Sequence, residues 1–280
     1  MIDLTMTPSD RTFIAGVRQI MDTQVISYAM KDRWPEGIEP RDISHALISS
    51  VTALELLQMR HPGSNKRARY YLYPPLVPEL TGDDEATREW DRIHKGRVRL
   101  TAKNRTDQVI LDFGNDFPVI VEYGHLMVGW LLKHKRIDVY SRRIEHLDKP
   151  ERRRLVEIFS YLIDRDLICL SLDRATAQVG MDLLRQYATS DGNNLKANFR
   201  NSLNDMLILA ASINSGVDLL TEDRALWRFA IHALKLSLNT KGPLIELETS
   251  LKAAKSASSK ESKGYINRSW EARVRNRVPH

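Results

Sequence analysis

Four acidic side chains stand at positions where a strand and a helix are expected to meet. They are Asp22, Glu55, Asp205 and Asp223. Carboxylates brought together at one place repel one another, and some stay protonated unless a cation neutralises them. Hard divalent cations prefer oxygen ligands, and a bound divalent metal can activate water for hydrolysis. The four positions therefore raise the hypothesis of a metal-dependent hydrolytic site.

The last two carboxylates belong to the most regular part of the sequence. Apolar residues recur at helical spacing over 203–213, and Gly216 is expected to end that helix because glycine tolerates a left-handed backbone. The mostly apolar segment 217–221 then predicts a buried strand. Asp205 falls near the start of the helix and Asp223 just past the strand, where sites form in open α/β sheets.

Two earlier segments repeat this step from strand to helix. Residues 18–21 predict the first strand, and Asp22 stands at its end, before a helical pattern that begins at Val25. Residues 46–51 predict the second strand, with Glu55 in the first turn of the following helix. The carboxyl ends of both strands thus carry an acidic residue.

Each of these carboxylates also has a structural explanation. Asp22, or its neighbour, could simply cap the next helix. The pairs Thr52 with Glu55, and Ser202 with Asp205, fit capping boxes that satisfy free amides at a helix start. From the residues alone, the chemical and structural explanations both stay open.

The remaining pattern predicts the fold class. Further elements are expected as a helix over 151–163, a strand over 167–172, helices over 175–187 and 227–236, and an edge strand over 244–247. Strands that alternate with helices favour a mostly parallel sheet covered on both faces. The region 117–135 favours a helix, with a β-hairpin through residues 114–115 as the alternative; its apolar stripe is core or a homodimer face.

Three groups of basic residues are candidates for nucleic-acid contact. Lys66, Arg67 and Arg69 lie among tyrosines, a combination that suits single-stranded nucleic acid, although tyrosines anchoring an exposed loop explain it equally well. Arg152 and Arg153 oppose the dipole at a helix start, which hints at phosphate contact, with a solvated face as the alternative. The third group is in the tail, at Arg273 and Arg275.

The chain of 280 residues has a formal net charge of +6, and this excess lies entirely in residues 251–280. That segment holds eight basic and two acidic residues, while the first 250 residues hold 34 of each. We predict a flexible basic tail that raises affinity for nucleic acid through phosphate contacts. It is expected to be disordered in isolation, or to fold on RNA or a partner chain.

Composition and motifs exclude several other classes. Cys169 is the single cysteine, so an intrachain disulfide and a thiolate metal cage are excluded, and a reducing cytoplasmic location is expected. No apolar run reaches the length of about 18–20 residues that spans a bilayer, and the polar start shows no signal peptide. Dinucleotide-binding, P-loop, zinc-protease and serine-hydrolase signatures are absent from the sequence.

Together the acidic segments resemble the four motifs of the PIN-domain nucleases. The matching segments are Met21-Asp22-Thr23, Ser49 to Glu55, Asn204-Asp205 and Leu220 to Asp223. The resemblance implies a three-layer α/β/α sandwich with a mostly parallel central sheet, in this chain over 12–250, interrupted by an insertion over 61–150 that we expect to be mainly helical. One departure is Gln24, where the family usually has asparagine.

The same resemblance implies the chemistry. Asp22, Glu55, Asp205 and Asp223 would bind Mg²⁺ or Mn²⁺, Thr221 would support them as a hydroxyl, and RNA, or occasionally DNA, would be cut. No histidine belongs to this set, so we assign the activation of water to the metal rather than to an imidazole base.

The expected function is therefore that of a metal-dependent endoribonuclease. The alternatives are a nucleic-acid-binding PIN-like protein without turnover and a DNA-directed nuclease in defence against foreign genomes. A toxin with an inhibitory antitoxin-like partner is a further alternative, and an RNA-processing or defence enzyme fits the chain length equally well.

Overall fold

The computed structural model describes residues 19–36, 40, 42–60, 69–70, 107–145, 147–190, 195–241, 244–248 and 270–275. Its strands are β1 (Gln19–Met21), β2 (Leu47–Ser49), β3 (Met59–Arg60), β4 (Arg69–Tyr70), β5 (Gln108–Asp112), β6 (Ile120–Tyr123), β7 (Ile168–Leu170), β8 (Asp218–Thr221), β9 (Ser237–Lys241), β10 (Leu244–Glu248) and β11 (Glu271–Arg275). Its helices are α1 (Thr23–Lys31), α2 (Ser50–Leu56), α3 (His125–Lys133), α4 (Ile137–Arg143), α5 (Lys149–Asp164), α6 (Arg174–Ser190), α7 (Leu195–Ser215) and α8 (Arg224–His232).

The central sheet has six strands in the order β7-β2-β1-β8-β10-β9. The first four are parallel, with Ile20 of β1 paired to Leu47 on one side and to Leu219 on the other. Strand β10 pairs antiparallel with β8, and β9 pairs antiparallel with β10. This arrangement confirms the mixed α/β class with a parallel sheet. The predicted edge strand, β10, lies inside the sheet, because the unpredicted β9 pairs with its outer side.

Hydrophobic cores cover both faces of this sheet. Successive side chains of a strand point to opposite faces, so Ile20 and Leu219 join one core with α6, α7 and α8, while Met21 and Leu220 join the other with α1, α3 and α5. Each core holds more than twenty buried residues. The apolar runs of the strands are therefore explained by burial on both sides.

The direction in which successive parallel strands are added to the sheet reverses between β1 and β8. From β1 the chain continues to β2 and β7 on one side, and then crosses to β8 on the other. The helices that follow these two strands cover opposite faces of the sheet, since Val25 of α1 and Phe229 of α8 lie in different cores. A crevice between such strands is the usual ligand position in open α/β sheets.

A second sheet contains β11, β5 and β6. Residues 108–123 form a hairpin whose turn includes Gly114 at φ 63°, and Gly124 at φ 75° then separates β6 from α3. The predicted helix over 117–135 is thus wrong before residue 125, and the hairpin alternative is correct there. Over its described residues the insertion contains β4, β5, β6, α3 and α4, and its mainly helical character stays a prediction.

The tail is also part of the folded body over its described residues. Strand β11 pairs antiparallel with β5, from Glu271 opposite Asp112 to Arg275 opposite Gln108. Trp270 and Ala272 are buried against the first hydrophobic core. The prediction of a flexible tail is therefore wrong for residues 270–275, since burial of alternate side chains stabilises a strand there.

An ion pair joins this second sheet to the helical layer. Both terminal guanidinium nitrogens of Arg200 in α7 donate to the buried carboxylate of Glu122 in β6, with 2.8 Å between Nη2 and Oε2. A bidentate contact of this kind fixes orientation as well as distance.

No helix among the described residues is long and apolar enough to cross a membrane.

Candidate metal-binding site

Two of the predicted carboxylates lie just beyond the carboxyl ends of β1 and β8, where a crevice is expected. Asp22 follows β1 and caps α1, where its Oδ1 accepts a hydrogen bond from the amide of Thr23 at 2.6 Å. Asp223 follows β8 and caps α8, where its Oδ1 accepts from the amides of Ala225 at 2.7 Å and Leu226 at 2.9 Å. Both residues therefore act as caps, and the chain ends its two central strands with them.

The other two carboxylates lie inside helices, and the capping-box explanations for them are wrong. Helix α2 begins at Ser50 with Ser49 as its cap, since the Ser49 hydroxyl accepts from the amide of Thr52 at 3.0 Å. Helix α7 begins at Leu195, which places Asp205 well within it. Neither Glu55 nor Asp205 satisfies a helix terminus, so their positions need another explanation.

Hydrogen bonds link the segments that carry these residues. The buried Thr221 hydroxyl donates to Oδ2 of Asp22 at 2.7 Å and accepts from the amide of Asp223 at 3.0 Å. On the other side, the Thr23 hydroxyl donates to Oε2 of Glu55, and Nδ2 of Asn204 donates to Oε1 of Glu55 at 2.6 Å. Thr221 thus orients the carboxylate of Asp22 and the backbone of Asp223.

Thr23 and Asn204 have no role in the sequence-based prediction, although both stand beside a predicted carboxylate. In the structure each donates to Glu55, so the two neighbours of Asp22 and Asp205 hold the third acid. In the sequence each donor is adjacent to a predicted acid: Thr23 follows Asp22, and Asn204 precedes Asp205.

The electrostatics show that the four carboxylates influence one another. Burial, followed by the charges of Asp223, Asp22 and Glu55, raises the pKa of Asp205 to about 8. Burial also raises the pKa of Asp22 to about 6, against the hydrogen bonds from Thr221 and Thr23 that lower it, and the charges of Glu55 and Asp223 add smaller increases. Burial is therefore the main cause of both increases in pKa, and the neighbouring like charges add to it.

Asp205 differs from the other three in its contacts. Both oxygens of Asp22 and of Glu55, and one of Asp223, accept hydrogen bonds. Within the described part of the chain, the Asp205 carboxylate has no hydrogen bond and no ion pair. A half-buried acid among other acids, with its lone pairs unused, suits a hard divalent cation as its missing partner.

The side chains are not already arranged as a closed coordination shell. Over the described residues, no group of three or more His, Cys, Asp or Glu side chains is placed to hold a metal ion. Asp22 and Asp223 direct oxygens to backbone amides, which competes with coordination. The donor types fit Mg²⁺ or Mn²⁺; that these residues act as ligands stays a prediction.

A tyrosine borders the acidic site. The Tyr28 hydroxyl of α1 donates to the carboxylate of Glu222, the residue between Thr221 and Asp223. This hydrogen bond, with burial and the charges of Glu222 and Asp22, raises the pKa of Tyr28 to about 12. The contact joins the second half of α1 to the segment after β8. Gln24, one turn earlier on α1, is exposed.

The predicted nucleic-acid contacts belong to several elements of the chain, and their role stays a prediction. Lys66 and Arg67 lie outside the described residues, and Arg69 is in β4. Arg152 is half-buried on α5, and exposed Arg153 pairs with Glu157 at 2.7 Å. The remaining two are in β11, where Arg273 pairs with Glu271 at 3.2 Å and with Asp112 at 3.6 Å, and Arg275 lies opposite Gln108.

In comparisons with known proteins, no family model, no curated protein and no solved structure matches the chain.

The raised pKa values of two acids in the site predict that the stability of the fold depends on pH. Asp205 and Asp22 have folded pKa values raised to about 8 and about 6, above the ordinary value near about 3.9. Stability that is present below pH ~4 is therefore lost as the pH rises through these values. We expect the Tm of the metal-free protein to fall between pH 5 and 8.5, and added Mg²⁺ to restore part of it by binding the folded state.

The matched comparison is the Asp205→Asn variant, measured by thermal denaturation across the same pH range in EDTA. Its Tm should change less between pH 6.5 and 8.5, because the group with the higher pKa is gone. Equal slopes in the two proteins would contradict the electrostatic account of Asp205.

Proposed function

We propose that this chain is a divalent-metal-dependent endoribonuclease with a PIN-like α/β/α sandwich. The observation that carries the proposal is the Asp205 carboxylate, half-buried among three other acids, without a hydrogen bond or ion pair in the described residues. An arrangement that costs stability in the absence of a cation is typical of functional sites rather than of structural ones. Its place beside the crevice between β1 and β8 supports the same interpretation.

In this proposal each side chain has a distinct part. Asp22, Glu55, Asp205 and Asp223 hold Mg²⁺ or Mn²⁺, which when bound supplies an activated water and stabilises charge on the phosphodiester. Thr221 orients Asp22, while Thr23 and Asn204 orient Glu55. Among the described residues no histidine contacts these acids. Hydrolysis by in-line attack would leave a 5′-phosphate and a 3′-hydroxyl.

The test is cleavage of a mixed pool of single-stranded RNA in EDTA, Mg²⁺ or Mn²⁺, with Asp205→Asn beside the wild-type protein. Cutting that needs metal and disappears in the variant is the expected result. A folded variant that cuts at the wild-type rate would refute the proposal. Matched DNA oligonucleotides, included in the same assay, distinguish an RNA-directed enzyme from a DNA-directed one.

A nucleic-acid-binding protein without turnover is the second candidate. It is favoured by the hydrogen bonds that already engage both oxygens of Asp22 and Glu55, and by Gln24 in place of the asparagine usual in the resembled family. Such a protein would bind RNA with an affinity that falls with salt, and would not cut it in any metal.

The role of Thr23 can be tested separately from that of the acids. Thr23→Val keeps the branched side-chain shape but removes the hydroxyl that donates to Glu55. Loss of a hydrogen bond to a charged group costs about 1.5–3 kcal/mol, so kcat should fall about tenfold to a hundredfold. The Mg²⁺ concentration for half-maximal rate should rise, and Thr23→Ser should restore both values.

Ser27→Ala is the matched control for that experiment. The Ser27 hydroxyl lies on the same helix and donates to the backbone oxygen of Thr23 at 2.8 Å, without contacting an acid. Its loss should leave the metal dependence unchanged. An equal effect of the two substitutions would mean that Thr23 stabilises α1 rather than positioning Glu55.

A further inference from the structure

Helix α8 carries a row of exposed basic side chains. Its apolar face, with Leu226 and Phe229, is buried in the core. Arg224, Arg228 and His232 follow at intervals of four residues, and all three are exposed. Residues four apart lie on the same side of a helix, so they form one line, which we call the α8 stripe. No acidic residue occurs within α8.

The stripe differs from most other exposed arginines by its lack of acidic partners. Ion pairs engage Arg136 and Arg142 with Asp138, Arg153 with Glu157, Arg165 with Asp42, Arg174 with Glu271, and Arg273 with Glu271 and Asp112. Within the described residues, Arg224 and Arg228 have no ion pair. The Arg228 guanidinium lies over the Trp227 ring, 5.9 Å from its centroid. Cations without a protein counter-charge are available to an external anion.

The position of the stripe relates it to the acidic site. Arg224 is the residue directly after Asp223, at the start of α8. A helix rises about 1.5 Å per residue, so Arg228 lies about 6 Å, and His232 about 12 Å, further along the axis from the site. Fixed positive charge therefore begins at Arg224, beside Asp223, and continues along α8 to Arg228.

We propose that the α8 stripe binds the sugar-phosphate backbone of a single-stranded polynucleotide, on the nucleotides that flank the phosphodiester at the acidic site. The inference rests on the proposed nuclease function, because it uses the same strand. Charge complementarity carries it: a polyanion must approach a cluster of carboxylates, and neighbouring cations offset that repulsion. Since phosphate contacts do not read sequence, the stripe supplies affinity rather than base preference.

The test compares two double variants that each remove two positive charges. Arg224→Gln with Arg228→Gln alters the stripe, and Arg142→Gln with Arg165→Gln alters exposed, ion-paired arginines elsewhere. Binding of a fluorescent 12-nucleotide single-stranded RNA is measured in EDTA from 50 to 200 mM salt, so that cutting does not contribute. The stripe variant should bind about tenfold more weakly, with a salt slope flatter by about 1.4 because two phosphate contacts are lost. The control should bind like wild type.

The outcomes separate this inference from the proposed function. Wild-type affinity in the stripe variant overturns the inference even if Asp205→Asn stops cleavage. Conversely, weaker binding in the stripe variant supports the inference even if the wild-type protein cuts nothing in Mg²⁺ or Mn²⁺. Equal weakening in both double variants overturns it, since net charge alone would then explain the effect. A wild-type protein that binds no RNA at 50 mM salt also overturns the inference. An acidic protein surface would then be the partner to test for the α8 stripe.

Discussion

Asp205→Asn is expected to abolish metal-dependent RNA cleavage and, at the same time, to make the metal-free protein more stable. The two effects have one cause. Burial and three neighbouring acids raise the pKa of Asp205 to about 8, so its ionised form is held in the fold at a cost. Asparagine has nearly the same shape but no charge, which removes both the repulsion and a ligand for a divalent cation.

The expected sizes follow from the same electrostatics. Loss of one charged metal ligand removes several kcal/mol of transition-state stabilisation, so the rate should fall about a thousandfold or more. In EDTA at pH 8.5, relief of the repulsion should raise the Tm by at least about 2–4 °C, which corresponds to about 1 kcal/mol in a chain of this size. Mg²⁺ should then stabilise the wild-type protein more than the variant.

Asp182→Asn is the matched control, because Asp182 is an acid outside the site whose pKa is also raised by burial. This variant should cut RNA at the wild-type rate. If Asp205→Asn lowered both the Tm and the activity, Asp205 would be a structural residue, and the electrostatic explanation of the site would fail. Gain of stability with loss of activity distinguishes a functional acid from a structural one.

The places of these acids could be predicted because each depends on local pattern. A short apolar run followed by an acid marks the carboxyl end of a strand, and Asp22 and Asp223 stand at such ends. Parallel strands then bring the ends to one edge of the sheet. The capping boxes failed as predictions because helix α7 begins at Leu195, ten residues before Asp205, in a segment without a strong start signal.

The hairpin and β11 were harder to predict because short apolar runs fit more than one period. Residues 117–135 satisfy helical spacing, and only the left-handed Gly124 shows where the strand ends. In β11 the signal was present but obscured by the basic composition: Trp270 and Ala272 are buried, whereas Glu271 and Arg273 are not. This alternation is typical of a half-buried strand.

Contacts between distant segments are the part that one-dimensional pattern does not contain. The donors to Glu55 come from residues 32 and 149 positions away in the sequence. The spacing of Arg153 and Glu157 in one helix indicates an ion pair. The spacing within α8, by contrast, cannot show whether another element supplies an acidic partner to Arg224. Such partners depend on packing across the whole sheet.

Trp270→Ala is expected to destabilise the fold strongly, because it removes the largest side chain that anchors β11. The indole is 4% exposed and lies edge-on to Phe113, with 5.0 Å between ring centroids. Its Nε1 donates to Asp116 at 2.7 Å, and the Arg185 guanidinium lies 4.7 Å from its ring. Truncation of a buried tryptophan costs about 3–5 kcal/mol, so the Tm should fall by about 6–20 °C.

Two controls separate packing from the other contributions of β11. Trp270→Phe keeps an aromatic ring against Phe113 but loses the hydrogen bond to Asp116, and should cost about 0.5–1.5 kcal/mol beyond any loss of volume. Arg273→Gln changes an exposed side chain of the same strand and should lie within about 0.5 kcal/mol of wild type. A small effect of Trp270→Ala, similar to that of Arg273→Gln, would mean that β11 contributes little to the stability of the fold.

The same packing changes how the basic tail must be tested. Truncation after Ser250 removes Arg273 and Arg275, but also Trp270 and the strand that pairs with β5. We therefore expect the truncated chain to lose at least as much stability as Trp270→Ala, and any fall in RNA affinity would include unfolding. Arg273→Gln combined with Arg275→Gln in the full chain isolates the phosphate contacts: weaker RNA binding at an unchanged Tm would support the predicted role of the tail, and unchanged binding would refute it.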